Sequence, residues 1–136
     1  MKVLAIDSGN TRVKWGLWDG ATWLRVGALG QDEVRDDPGR MSAVLAALPT
    51  PDRVAIANVA GARRALEAAL DRVLARVAVP AVWARALPSQ CGVVNSYEQP
   101  ESLGADRWAA LIGAWHRQHA ACVVVCAGTA TTVDML

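Results

Sequence analysis

Apolar and polar positions recur along this chain with two different periods, and the change from one to the other separates an opening β region from a mixed α/β region. Residues 2–7 form an apolar run that ends in Asp7. Residues 12–18 alternate, with Val13, Trp15 and Leu17 set against Arg12, Lys14 and Trp18, the period of a paired strand. Gly9-Asn10 between the two runs is a favourable turn dipeptide, and a second turn at Asp19-Gly20 leads to a third strand over residues 22–29. The chain therefore opens as a three-stranded antiparallel meander. Residues 30–40 are polar and contain Pro38-Gly39, which predicts a loop.

Beyond that point helices and strands alternate. Residues 41–48 read as a short helix stopped by Pro49, residues 53–59 as a strand, and residues 62–77 as a helix with Leu66, Leu70, Val73, Leu74 and Val77 on one face. A strand is expected over residues 80–87 and a loop over residues 88–100. The helix predicted over residues 101–116 places Trp108, Leu111, Ile112 and Trp115 at i, i+3, i+4 and i+7. Residues 121–126 then form a buried strand, Ala127-Gly128 turns, and residues 131–136 start another. The order βββαβαβα followed by ββ predicts an α/β fold: a mixed sheet with an antiparallel N-terminal meander, flanked by helices. Trp15, Trp18, Trp23, Trp83, Trp108 and Trp115 are expected as core aromatics in a chain that has no Phe.

Composition narrows the function classes. With 136 residues, 53% hydrophobic and 20% charged, the chain can bury one ordinary core. A net charge of +1, with Arg63-Arg64 the only adjacent basic pair, argues against nucleic acid or a membrane surface as partner. The first apolar run is broken by Asp7 too early for a secretory signal, and residues 118–133 are too few and too rich in Thr and Gly to span a bilayer, so a cytoplasmic protein is expected. Cys91, Cys122 and Cys126 lack C-x-x-C spacing, which points away from a disulfide framework or a zinc site; Cys91 and Cys122 are expected as small buried residues.

Three segments have the residue types that phosphoryl transfer needs. Asp7-Ser8-Gly9-Asn10-Thr11 offers backbone N–H groups, hydroxyl and amide groups for phosphate oxygens, and a carboxylate to orient Mg²⁺ directly or through water. Taken alone it is equally a plain hairpin turn. Ala127-Gly128-Thr129-Ala130-Thr131-Thr132 repeats the pattern after a second apolar strand. Setting Gly9 over Gly128 aligns LAIDSGNTRVKWG with VVVCAGTATTVDM, so the chain starts the same unit twice and the two turns pair as phosphate clasps. The third segment is Gly104-Ala105-Asp106-Arg107, at or near a helix start. Asp106 there suits a general base toward a substrate hydroxyl, and Arg107 a bidentate grip on a carboxylate or phosphate. The alternative is an N-cap Asp beside a solvated Arg. His116 and His119 fall at a helix end and are assigned no chemistry.

DSGNT, GADRWAALIGA and GTATTVD, in this order and spacing, resemble the type III pantothenate kinases, the Bvg accessory factor family of the actin-like ATPase (ribonuclease H-like) superfamily. The resemblance also takes in NVAG at residues 58–61 and QCGVVNSY at residues 90–97. It implies ATP-dependent phosphorylation of pantothenate to 4'-phosphopantothenate, the first step of coenzyme A synthesis, by a homodimer using ATP and Mg²⁺. The ATP phosphates would lie against Asp7, Ser8, Gly9, Asn10, Thr11, Arg12, Val13 and Lys14 and against Gly128 and Thr129, with Asp7 toward Mg²⁺. Asp106 would be the proton acceptor, and Tyr97, Gly104, Ala105 and Arg107 would hold pantothenate. Many relatives have Asp where this chain has Cys126, a position associated with a monovalent cation (K⁺ or NH₄⁺), for which a thiol is a poor ligand. That departure keeps open a non-catalytic accessory protein of the same fold. The resemblance also implies a duplicated architecture, with residues 1–118 as the N-terminal domain and residues 119–136 as the first strands of a second domain, and hence a chain that is a fragment of a longer protein.

Overall fold

The computed structural model describes residues 1–61 and 63–136. They divide into two compact units, Met1–Trp83 and Ala84–Leu136.

The first unit is built on the predicted meander. Strands β1 (Val3–Ser8), β2 (Arg12–Trp18) and β3 (Trp23–Gly30) pair antiparallel in succession. β4 (Arg53–Asn58) joins β1 in parallel, and the two-residue β5 (Val82–Trp83) joins β4 in parallel, so the sheet order is β3-β2-β1-β4-β5. The register puts Leu4, Ile6 and Ser8 of β1 on the same face as Val13, Trp15 and Leu17 of β2 and Val54 and Ile56 of β4. On that face these apolar side chains pack with Val34, Met41, Leu45, Leu66, Ala69, Leu70 and Val73. These come from α1 (Gln31–Asp36), α2 (Pro38–Ala46) and α3 (Arg63–Leu74).

The loop expected over residues 30–40 is instead helical. Pro38 occupies the first turn of α2, where its missing N–H has no helical partner to lose. Asp37 caps that turn by accepting from the Arg40 N–H at 3.2 Å. The same residues that mark a loop when they stand in one thus mark a helix start here. The strand expected over residues 80–87 shrinks to β5, and Trp23, expected in the core, is 54% exposed at the end of the β2–β3 hairpin. Ala62, where the helix expected over residues 62–77 begins, lies outside the described residues.

The second unit centres on α4 (Ala105–Gln118), whose Trp108 and Leu111 are buried with Ala86, Val93 and Leu103, and against which Ile112 and Trp115 pack as the periodicity predicts. The segment 88–100, expected as loop, contains a small hairpin of β6 (Ser89–Gln90) and β7 (Val93–Val94). Cys91 and Gly92 turn it with φ of 51° and 82°, the backbone a tight two-residue hairpin needs. Cys91 is therefore exposed rather than buried, and Cys122 is half-buried. β8 (Val123–Ala127) and β9 (Thr131–Met135) form a separate antiparallel pair. Val124 and Leu136 pack toward the α4 cluster, but Val123, Val125, Val133 and Met135 are 59 to 82% exposed. The strand expected to be buried is thus half-buried on one face and exposed on the other.

Candidate functional site

The candidate residues fall into one group in each compact unit. In Met1–Trp83, Asp7 and Ser8 end β1 while Gly9, Asn10 and Thr11 connect it to β2, with the Gly9 N–H donating to the Arg12 carbonyl at 3.0 Å. Parallel pairing of β1 with β4 sets Ser8 opposite Asn58, so the NVAG segment follows the same sheet end. The Val59 and Ala60 N–H groups donate to the Ser8 carbonyl at 3.0 and 3.3 Å. The carboxyl ends of adjacent parallel strands, where loops diverge from the sheet, are the usual place for a ligand crevice in an α/β fold.

Asp7 and Lys14 face each other across the β1–β2 register, with Lys14 Nζ 3.5 Å from the Asp7 carboxylate and both side chains well exposed. An exposed pair of this kind contributes little to stability, so both charges can turn to a ligand at small cost. Ser8 is different. It is buried, and its hydroxyl accepts from Gln31 Nε2 at 2.8 Å while Gly9 O accepts from the same amide at 2.7 Å. The Gln31 backbone N–H also donates to Thr11 O at 2.9 Å. Gln31 therefore clasps the hairpin from α1. Nothing in the hydrophobic pattern announces it, since it lies in the stretch that reads as loop.

Neither Gly9 nor Gly128 has a positive φ. A Cβ at Gly9 would lie 3.5 Å from Arg12 O, and one at Gly128 would lie 3.7 Å from Ala130 O, both ordinary contacts. The fold does not itself demand glycine at either turn. Glycine at both leaves the turn backbone uncovered by any side chain of its own.

In Ala84–Leu136, Gly104 is the N-cap of α4, with its carbonyl accepting from the Trp108 N–H at 2.9 Å. Asp106 lies in the first turn, where the helix dipole favours an anion. It is neither the N-cap nor beside a solvated Arg. Arg107 is half-buried: its Nε donates to Asp134 Oδ2 at 2.9 Å, and its Nη2 donates to Asp134 Oδ1 and, at 3.1 Å, to the Tyr97 hydroxyl. The bond to Asp134, then that to Tyr97, outweigh desolvation and hold the guanidinium even more firmly protonated than usual. Asp134 closes the GTATTVD motif, yet its partner is 27 residues away in sequence, so only the packing of β9 near α4 reveals it.

Cys126 lies opposite Thr132 in the β8–β9 register, and among the described residues Thr132 Oγ1 is a buried hydroxyl without a hydrogen-bond partner. Gly128 and Thr129 lie in the intervening turn, closed by the Gly128 N–H on Ala130 O at 3.1 Å. Among the described residues no group of three or more His, Cys, Asp or Glu could hold a metal. A Mg²⁺ ion brought in by phosphates, which needs one or two carboxylates, fits Asp7.

A five-stranded mixed sheet of order β3-β2-β1-β4-β5, packed against three helices and with a glycine hairpin at the end of its first strand, defines an α/β fold. The sequence profile described as type III pantothenate kinase matches residues 3–136, and the chain belongs to that family. Among its relatives, the type III pantothenate kinase of Nitrosospira multiformis is 47% identical over 134 residues, which cover 98% of this chain and 49% of that protein. Those of Aromatoleum aromaticum and Nitrosomonas eutropha are 48% and 49% identical, again over 98% of this chain and over 53% and 50% of theirs. The chain spans about half the length of the curated relatives it matches. Among solved structures, Thermus thermophilus RuvC aligns with a TM-score of 0.47 and 21% identity, over 82% of this chain and 76% of that one. Among the described residues no helix is long and apolar enough to cross a membrane.

Proposed function

We propose that this chain is the N-terminal part of an enzyme that transfers the γ-phosphate of ATP to the primary hydroxyl of pantothenate. The observation that carries the reading is the adjacency of Asp106 and Arg107 in the first turn of α4, in a chain that matches the pantothenate kinase family from residue 3 to residue 136. Asp106 takes the proton of the attacking hydroxyl. Arg107, Tyr97 and the backbone of Gly104 and Ala105 orient pantothenate, with the guanidinium directed at its carboxylate.

The Asp7–Lys14 hairpin holds the ATP phosphates, and Gly128 and Thr129 supply the second clasp. Asp7, together with the ATP phosphates, would hold Mg²⁺, which would supply neutralisation of the charge that spreads over the transferring group. Residues 119–136 begin a second domain. The one-sided burial of the β8–β9 pair and the twofold greater length of the relatives support this. The enzyme works in the cytoplasm as a homodimer and does not use K⁺ through Cys126, whose soft sulfur suits an alkali cation poorly.

The test is phosphate transfer from ATP to pantothenate, by the 136-residue chain and by the full-length protein that carries it, with and without K⁺. Turnover by the full-length protein, with loss of at least about a hundredfold in Asp106→Asn, supports the reading. Absence of turnover in both chains supports an accessory role instead, and unchanged turnover in Asp106→Asn removes the base assignment.

A further inference from the structure

The contact between Arg107 and Asp134 is not explained by stability alone. An exposed guanidinium would capture a carboxylate substrate without help, and Asp134 gives away part of that attraction by neutralising it. What the pair adds is direction. Asp134 takes the Nε–H and one Nη2–H, and Tyr97 takes the other Nη2–H, which accounts for three of the five N–H groups of Arg107. The bidentate edge expected for a substrate is thus spent on Asp134, and the two diverging N–H groups on Nη1 are the ones left for a ligand. Because the Tyr97 oxygen accepts from Arg107, its own proton turns away from the guanidinium, and Tyr97, 41% exposed, becomes a donor as well. Donors from two side chains are thus aligned by one carboxylate that is itself only 9% exposed.

We infer that Asp134 is a positioning residue: it fixes Arg107, and through it Tyr97, as a preset pair of donors for the carboxylate end of the substrate. The inference rests on the pantothenate kinase reading and deepens it. It assigns to the last part of the GTATTVD motif a role in the acceptor half of the reaction, beside the phosphate clasp at Gly128 and Thr129. An untethered Arg107 samples many rotamers, and each must be frozen when substrate binds. Asp134 removes that cost in advance, so its loss falls on substrate binding and leaves the chemical step at Asp106 largely intact.

The experiment is steady-state kinetics of the full-length protein with Asp134→Ala and Asp134→Asn, using pantothenate and its alcohol analogue, in which the carboxylate is replaced by a hydroxymethyl group. Expected for Asp134→Ala is a rise in KM for pantothenate of about tenfold or more, the scale of one charge-assisted contact, with KM for ATP unchanged and kcat within about threefold. Asp134→Asn, which keeps the shape and one acceptor, falls between. For the alcohol analogue the variants match the unaltered protein, because there is no carboxylate left to orient toward. An equal KM rise for both substrates, a loss confined to kcat, or an unchanged KM for pantothenate overturns the inference. Asp134→Asn covers the case in which the alanine variant fails to fold. If the unaltered protein does not phosphorylate pantothenate, the kinase reading fails and takes this inference with it. If it does and the variants are silent, only the inference fails.

Discussion

Gln31 and Ser8 are joined across 23 residues by a 2.8 Å hydrogen bond from the side-chain amide to a hydroxyl that is almost fully buried. The same amide donates to Gly9 O at 2.7 Å. α1, entered directly from β3, is thereby tied to the tip of the first hairpin.

Replacing Gln31 with Leu removes both donors and fills the space a water would need, leaving the Ser8 hydroxyl and the Gly9 carbonyl without their partner. A loss of about 1–3 kcal/mol is expected from that unsatisfied burial, read as a lower urea midpoint at constant slope. In the full-length protein the loosened hairpin raises KM for ATP. A variant with unaltered midpoint and unaltered KM for ATP shows that Gln31 does not organise this turn.

Gly9→Ala separates ligand binding from folding. The added Cβ meets nothing closer than Arg12 O at 3.5 Å, so the stability change is expected within about 0.5 kcal/mol. If the turn admits phosphate close to its backbone, the same methyl group raises KM for ATP while leaving KM for pantothenate alone. Gly128→Ala, with 3.7 Å to Ala130 O, behaves alike. A large fall in thermal midpoint for either variant contradicts the assignment of these glycines to a ligand.

Two other glycines give the opposite expectation. A Cβ at Gly27 would fall 2.3 Å from the Trp15 ring, and one at Gly16 would fall 2.6 Å from the ring of Trp23. Trp15 packs against the core and cannot retreat, whereas Trp23 is 54% exposed and can swing off the sheet. Gly27→Ala should cost about 1–3 kcal/mol, the usual scale for overpacking, and Gly16→Ala clearly less. Equal losses in denaturant titrations would show that Trp23 is as firmly held as Trp15.

The sequence alone determined the local features of this protein. Period-two alternation over β2, the apolar runs of β1 and β4, and the i, i+3, i+4, i+7 face of α4 each depend on neighbours within a few residues, and each was legible. The two glycine turns and the GADR helix start were visible for the same reason. Tertiary structure decided what depends on partners distant in sequence. Residues 31–46 became helical because Val34, Met41 and Leu45 found the sheet face to pack on, while Pro38 and Asp37 serve a turn and a helix start equally well. Gln31 reached Ser8, and Asp134 reached Arg107, only once strand pairing and helix packing had brought them close. Hydrophobic periodicity reports which side of an element is buried; it contains nothing about which polar group will meet which. That choice is made by the three-dimensional path of the chain, and here it selects the carboxylate that sets the direction of Arg107.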